Sequence, residues 1–122
     1  MGARVGDRCL LEISHRLKWN LRPCDVAGRI GGEEFAVLLS SATLHEARVI
    51  GWWIGQPIPF RAVDNGPHLS VTLSMGAAEI APGIALDTHL IRADEALYHA
   101  KSKGLARMVV WAPMDKTEEN AA

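Results

Sequence analysis

Leu10, Ile13, Leu17 and Leu21 recur at steps of three and four residues, with Glu12, Arg16 and Lys18 between them. That spacing gathers the apolar side chains on one face and predicts an amphipathic helix from about Asp7, stopped by Pro23. Two short β-prone runs follow, Val26 to Ile30 and Phe35 to Leu39, separated by Gly31, Gly32, Glu33 and Glu34. They predict a hairpin with the glutamates at its tip. Phe35 to Leu39 is apolar throughout, the pattern of an interior strand covered on both faces.

Thr43 with Glu46 has the spacing of a capping box, and Leu44 to Ile54, with Ala47, Ile50 and Ile54, reads as a second helix ended by Gly55 and Pro57. A turn at Asp64 to Pro67 leads into a predicted strand from Leu69 to Met75, with Leu69, Val71, Leu73 and Met75 on one face. Asp87 or Thr88 can cap a third helix whose packed side is read as Leu90, Ile91, Ala93, Leu97, Ala100 and Tyr98, with Gly104 as its C-cap. Met108 to Trp111 is a last short strand. The order of elements predicts an α/β layer structure with a mostly antiparallel sheet. The first element is a helix starting almost at Met1, so no strand precedes it in the usual starting position of such a sheet.

Composition narrows the class. With 48% hydrophobic and 22% charged residues in 122, the chain has apolar material for one packed core, read as a domain over residues 1–112 and a polar tail over 113–122. A net charge of -1 argues against a broad electrostatic grip on a nucleic acid polymer or an anionic membrane. An anionic ligand would have to be held locally. No apolar run is long enough to span a bilayer and the N-terminus lacks the pattern of a signal peptide, so the chain reads as cytoplasmic. Cys9 and Cys24 have no histidine or cysteine at metal-ligand spacing and read as free thiols.

The chemistry concentrates at Gly31 to Glu34. Glycines admit backbone conformations closed to other residues and leave room for a ligand beside the main chain. Two carboxylates on a turn can hold a hard divalent cation between themselves and a nucleotide's phosphates, the arrangement of phosphoryl or nucleotidyl transfer. A bare Gly-Gly-Glu-Glu is more often an ordinary exposed hairpin tip with solvated glutamates. Its company decides between them: "RIGGEEFAVLL" resembles the signature of the GGDEF domain family, the diguanylate cyclases, in its glutamate form. "GARVGDRCL", "VTLSMGAA" and "RADEALYHAKSKG" resemble three further family segments, in family order, from Gly2 to about Val110.

The resemblance implies a nucleotidyl-cyclase or palm-like fold, a central mostly antiparallel sheet flanked by helices. It also implies condensation of two GTP molecules to cyclic di-GMP and pyrophosphate across a homodimer, with magnesium or manganese. Carried over by position, Glu33 and Glu34 would be the metal ligands and catalytic carboxylates, with Glu33 assisting deprotonation of the 3'-hydroxyl. Gly31 and Gly32 would lie against the nucleotide, Asp7 would take the guanine edge, Leu10 would line the base pocket and Lys101 would meet the phosphates. Without the family context, Asp7 is an acid near a helix N-terminus and Lys101 a solvated lysine near a helix C-terminus. Arg22 and Asp25 form an Arg-x-x-Asp at the spacing of the family's inhibitory cyclic di-GMP site, where an arginine fork suits phosphate or guanine. The plainer alternative is a local ion pair that tidies a loop.

The family pattern is not complete in these residues. Its first strand, with a metal-binding aspartate, and the loop and helix with a guanine-binding asparagine would precede Met1, which makes the domain N-terminally truncated by this reading and little activity its expectation. Ala3 stands for the family's histidine and Leu105 for a phosphate-contacting arginine, with Arg107 nearby, and "GWWIG" occupies a helix often charged in the family. At least one of Trp52 and Trp53 is expected in the core. Two other readings stay open beside the enzyme: a cyclic di-GMP-binding module that does not make its ligand, and a structural dimerisation domain.

Overall fold

The computed structural model describes residues 2–104 and 107–113, with side chains from residue 6 onward. The elements run α1 (Gly2–Asn20), β1 (Val26–Arg29), β2 (Phe35–Leu38), α2 (Leu44–Ile54), β3 (Ile58–Phe60), β4 (Leu69–Val71), β5 (Met75–Ala77), α3 (Leu86–Ser102) and β6 (Met108–Val110). The α/β class follows from the alternation of helices with strands. The strands form three two-stranded ladders, two antiparallel and one parallel, in place of the single central sheet expected. The chain divides into two compact units after Thr72.

In the first unit, α1 buries Ile13 and Leu17, two of the positions whose spacing predicted it. Its Arg16, read from the sequence as a solvent-facing charge, donates from Nη1 to the carbonyls of Trp53 and Gln56 and from Nη2 to that of Pro57, at 3.1, 2.8 and 3.1 Å. The end of α2 leaves carbonyls without partners inside the helix, and a guanidinium can satisfy several at once. The α2 start is the capping box expected: Thr43 Oγ1 accepts from the Glu46 amide and Glu46 Oε1 from the Thr43 amide, both at 3.1 Å. Buried Gly51 and Ile54 face inward, while Trp52 and Trp53 are 59% and 54% exposed. Neither is core, against expectation; they stack edge to face on each other at 4.9 Å.

The β1–β2 hairpin pairs Val26 with Leu38 and Arg29 with Phe35. It is a two-stranded ladder, so Val37 and Leu38 stay more than a third exposed and β2 is not the doubly covered strand its apolar run suggested. The expected strand from Leu69 to Met75 is broken at Thr72–Ser74: β4 pairs antiparallel with β3 across the turn at Asn65, and β5 belongs to the second unit.

That second unit is a β-α-β crossover, since parallel neighbours such as β5 and β6 need a long connection between them, here α3. The helix approaches β5 so closely that a Cβ on Gly76 would stand 2.1 Å from the Ala93 carbonyl oxygen and 2.3 Å from the Leu97 nitrogen. Ala96 and Ala100 pack on Val109 in the core. The buried stripe of α3 therefore runs through His89, Ala96 and Ala100, and Leu90, Ile91 and Tyr98 are exposed rather than packed. His89 is 3% exposed, and its polar atoms are satisfied there: Ala81 N–H donates to its Nε2 and its Nδ1 bonds the Ala85 carbonyl, each at 2.9 Å. The N-cap is Ala85, without a side-chain cap bond, rather than Asp87 or Thr88. The C-cap is Lys103 rather than Gly104, which follows it in the left-handed conformation with φ of 67°.

Candidate functional site

Between β1 and β2 the chain turns through Ile30 to Glu34, closed by one backbone bond from Ile30 N–H to the Glu34 carbonyl at 3.0 Å. Gly31, Gly32 and Glu33 are exposed and Glu34 is half-buried. A Cβ on Gly32 would meet nothing within 4 Å, and one on Gly31 only an ordinary contact with Glu34 at 3.7 Å. Among the described residues nothing fills the space beside Gly32, and only Glu34 borders that beside Gly31. Arg29, which the sequence reading passed over, reaches back across this turn: Nε donates to the Gly31 carbonyl at 3.1 Å and Nη2 to the Gly32 carbonyl at 2.6 Å. Its position two residues ahead of a glycine pair was the available signal.

Two adjacent carboxylates on an open turn suit a magnesium-type cation, which takes one or two protein carboxylates and completes its shell with phosphate and water oxygens. An all-protein cage is a different matter: among the described residues no three His, Cys, Asp or Glu side chains are grouped to hold a metal.

Arg22 and Asp25 are brought together at the loop after α1. Arg22 Nε and Nη2 donate to Asp25 Oδ2 and Oδ1 at 3.0 and 2.9 Å, a bidentate fork. The Arg22 amide adds a bond to Oδ2 at 2.8 Å and the Ser40 amide one to Oδ1 at 3.0 Å. Arg22 Nη2 also donates to the Ser40 carbonyl at 2.6 Å, and Glu46 stands 3.9 Å from Nη1. The Asp25 side chain is fully enclosed. Hydrogen bonds from the Arg22 side chain foremost, then from the two amides, hold its carboxyl far below the usual carboxylate range in spite of that enclosure. The same contact raises Arg22.

Both residues line a cavity of about 620 Å³ between α1 and the hairpin. Leu17, Leu21 and Phe35 give it apolar surface, and Lys18, Arg22 and Arg29 place three cations around it against the single carboxylate of Asp25. A chain of net charge -1 thus concentrates positive charge locally, as an anionic ligand requires.

The other expected site residues are distributed over both units. Asp7 and Leu10 lie on α1, Asp7 exposed and Leu10 half-buried. Because α1 begins at Gly2, Asp7 falls beyond the first turn and is not an N-terminal acid of the helix. Lys101 is exposed in the last turn of α3, in the second unit. Leu105 lies outside the described residues. Cys9 and Cys24 are free thiols, as expected.

The family profile "Diguanylate cyclase, GGDEF domain" matches residues 1–107. The chain belongs to the GGDEF family. It is 42% identical over 110 residues to YhcK of Bacillus subtilis, across 88% of this chain and 31% of that protein. It is 32% identical over 112 residues to the probable diguanylate cyclase DgcC of Escherichia coli, across 91% of this chain and 30% of the other. Among solved structures it is similar to the GGDEF domain of YfiN (TpbB) from Pseudomonas aeruginosa, with a TM-score of 0.82 and 31% identity over 98% of this chain and 70% of that one. The chain thus spans about a third of the length of the two sequence relatives. The likeness to solved GGDEF domains bears out the α/β fold class expected from the sequence. Among the described residues no helix is long and apolar enough to cross a membrane.

Proposed function

We propose that this GGDEF chain serves the condensation of two GTP molecules to cyclic di-GMP and pyrophosphate, each GTP held on one of two facing copies. Family membership and the open Glu33–Glu34 turn support the reading, and the turn is the observation that carries it. In this mechanism the 3'-hydroxyl of one nucleotide attacks the α-phosphorus of the other in line, and pyrophosphate leaves. Glu33 and Glu34 hold the divalent cation, magnesium or manganese, which when bound stabilises charge on the attacking and leaving oxygens. Glu33 also accepts the proton of the attacking hydroxyl. Asp7 accepts hydrogen bonds from the guanine edge, Leu10 borders the base, Gly31 and Gly32 give the nucleotide access to the main chain, and Lys101 meets the phosphates. The domain occupies residues 1–112, with 113–122 as a tail, and works in the cytoplasm, where GTP is found.

Arg22 and Asp25 with the adjoining cavity are assigned to the product, cyclic di-GMP, as an inhibitory site. The apolar wall receives a planar base, and Lys18 and Arg22 beside it receive phosphates. One observation favours a second reading, a domain that binds cyclic di-GMP without making it: this cavity is assembled within one compact unit, while the glutamate turn has no third acidic or imidazole ligand grouped with it among the described residues.

The test is conversion of GTP with magnesium, followed by chromatography, with Glu34→Ala in parallel. A low level of cyclic di-GMP formed by the parent, in keeping with the incomplete family pattern of these residues, and none in the variant is the expected result. Formation that survives the substitution removes the glutamates from the reaction, and binding of cyclic di-GMP without any synthesis moves the assignment to the second reading.

A further inference from the structure

We propose that Arg29 is the positioning residue of the glutamate turn, fixing the peptide planes that set where Glu33 and Glu34 present their carboxylates. The proposal rests on the reading of those glutamates as cation and nucleotide ligands.

A connection with two successive glycines has little intrinsic preference for one shape, because each glycine gives up more backbone freedom on ordering than any other residue. Packing does not supply the missing constraint here. The space beside Gly32 is open, a Cβ on Gly31 would meet only Glu34 at 3.7 Å, and neither glycine has the positive φ of a tight left-handed turn. One backbone bond closes the loop at its base, from Ile30 to Glu34. What acts inside the loop is the Arg29 guanidinium, with Nε on the Gly31 carbonyl at 3.1 Å and Nη2 on the Gly32 carbonyl at 2.6 Å.

Arg29 is suited to this by its place and its shape. It is the last residue of β1, paired with Phe35, so its backbone is fixed by the ladder. A planar guanidinium carries donors at a set separation, and two consecutive carbonyls can be held only when both turn toward it. Since the peptide unit is planar and trans, holding the Gly31 and Gly32 carbonyls turns the amides of Gly32 and Glu33 to the opposite side and fixes the Cα of Glu33. The guanidinium spends its charge on these carbonyl dipoles. Among the described residues it forms no ion pair with Glu33 or Glu34, which keeps both carboxylates for a cation.

The experiment combines amide relaxation by NMR across Gly31–Glu34 with manganese affinity from electron paramagnetic resonance, in the parent chain, Arg29→Ala and Arg29→Lys. Unchanged amide shifts at Ala27 and Val37 establish that the ladder is intact. In Arg29→Ala the turn amides gain fast motion, manganese affinity falls about tenfold, as for loss of a residue that orients metal ligands, and millimolar guanidinium ion restores both. Arg29→Lys, with one compact donor group, falls between the two. If Arg29→Ala loses the ladder, Arg29→Lys decides. A turn as ordered as the parent's in the deciding variant, or a mobile turn with parental manganese affinity, overturns the proposal. Glu34→Ala separates it from the reading beneath it: parental manganese affinity in that variant refutes the glutamates as ligands, while the order of the turn still judges Arg29.

Discussion

Arg22 and Asp25 grip each other through a two-point fork, and the same carboxylate accepts the Ser40 amide, tying the loop after α1 to the turn after β2. The local ion pair and the proposed product site are thus the same atoms. A ligand that takes the Arg22 fork must take it from Asp25, so its affinity reports the difference between the two partners. Arg22→Ala is expected to weaken cyclic di-GMP by about tenfold or more, the scale of losing a charge-assisted pair of bonds. Calorimetric titration of parent and variant checks it, and equal affinities would remove Arg22 from the site.

The depressed carboxyl of Asp25 gives a pH signature. In the unfolded chain this group protonates near the ordinary value of about 3.9; in the folded chain hydrogen bonds from Arg22 and Ser40 keep it ionised well below that. Its stabilisation is whole above the unfolded value and declines as pH falls from there toward the folded one. The stability gap between the parent and Asp25→Asn should be equal at pH 7 and pH 5 and shrink below about pH 4. Urea denaturation across this range measures it, and a gap that closes already between pH 7 and 5 would contradict the assignment.

Gly76 is expected to tolerate no side chain. The atoms its Cβ would meet belong to the α3 backbone, which cannot yield as a flexible side chain would. Gly76→Ala should cost about 1–3 kcal/mol or more, the range of overpacking a core. Loss of stability on chemical denaturation, followed by Trp111 fluorescence in a chain with Trp19, Trp52 and Trp53 replaced, tests it.

At the start of α2, Thr43→Ala removes the side-chain acceptor for the Glu46 amide. A loss of about 1 kcal/mol is expected, as for other N-cap hydroxyls. Thr43→Ser should recover most of it, since serine offers the same acceptor.

His89 supplies a further check on α3. His89→Leu fills the site with an apolar side chain of comparable size but leaves the Ala81 amide without its acceptor. A buried donor left so costs about 1–3 kcal/mol, and thermal unfolding of the variant against the parent measures it.

Local rules were legible wherever neighbours in sequence settle the energy. The capping box at Thr43, the glycine after α3 and the amphipathic stripe of α1 all depend on residues within a few positions of each other, so spacing alone identified them. The site motifs were legible as patterns for the same reason: Glu33 and Glu34 are adjacent, and Arg22 and Asp25 are three apart. Spacing failed where burial depends on a distant partner. His89 was not among the residues read as packed, and its burial rests on backbone groups at Ala81 and Ala85 that only the folded loop presents. The apolar run at β2 was read as interior because apolar residues usually are, whereas the coverage of a strand is decided by what lies beside it.

The sequence by itself determined the family, the three helices, the β1–β2 hairpin and the identity of the candidate-site carboxylates and cations, because each is written in short-range pattern; it did not show β3 or the break between β4 and β5. The tertiary structure decided what those residues touch. It put the Arg16 guanidinium on the end of α2, set Gly76 against the α3 backbone, closed Arg22 on Asp25 beside a cationic cavity and laid Arg29 over the glycine carbonyls. Directional contacts of this kind depend on where the backbone carries a side chain in space, and that is fixed only when the elements have packed.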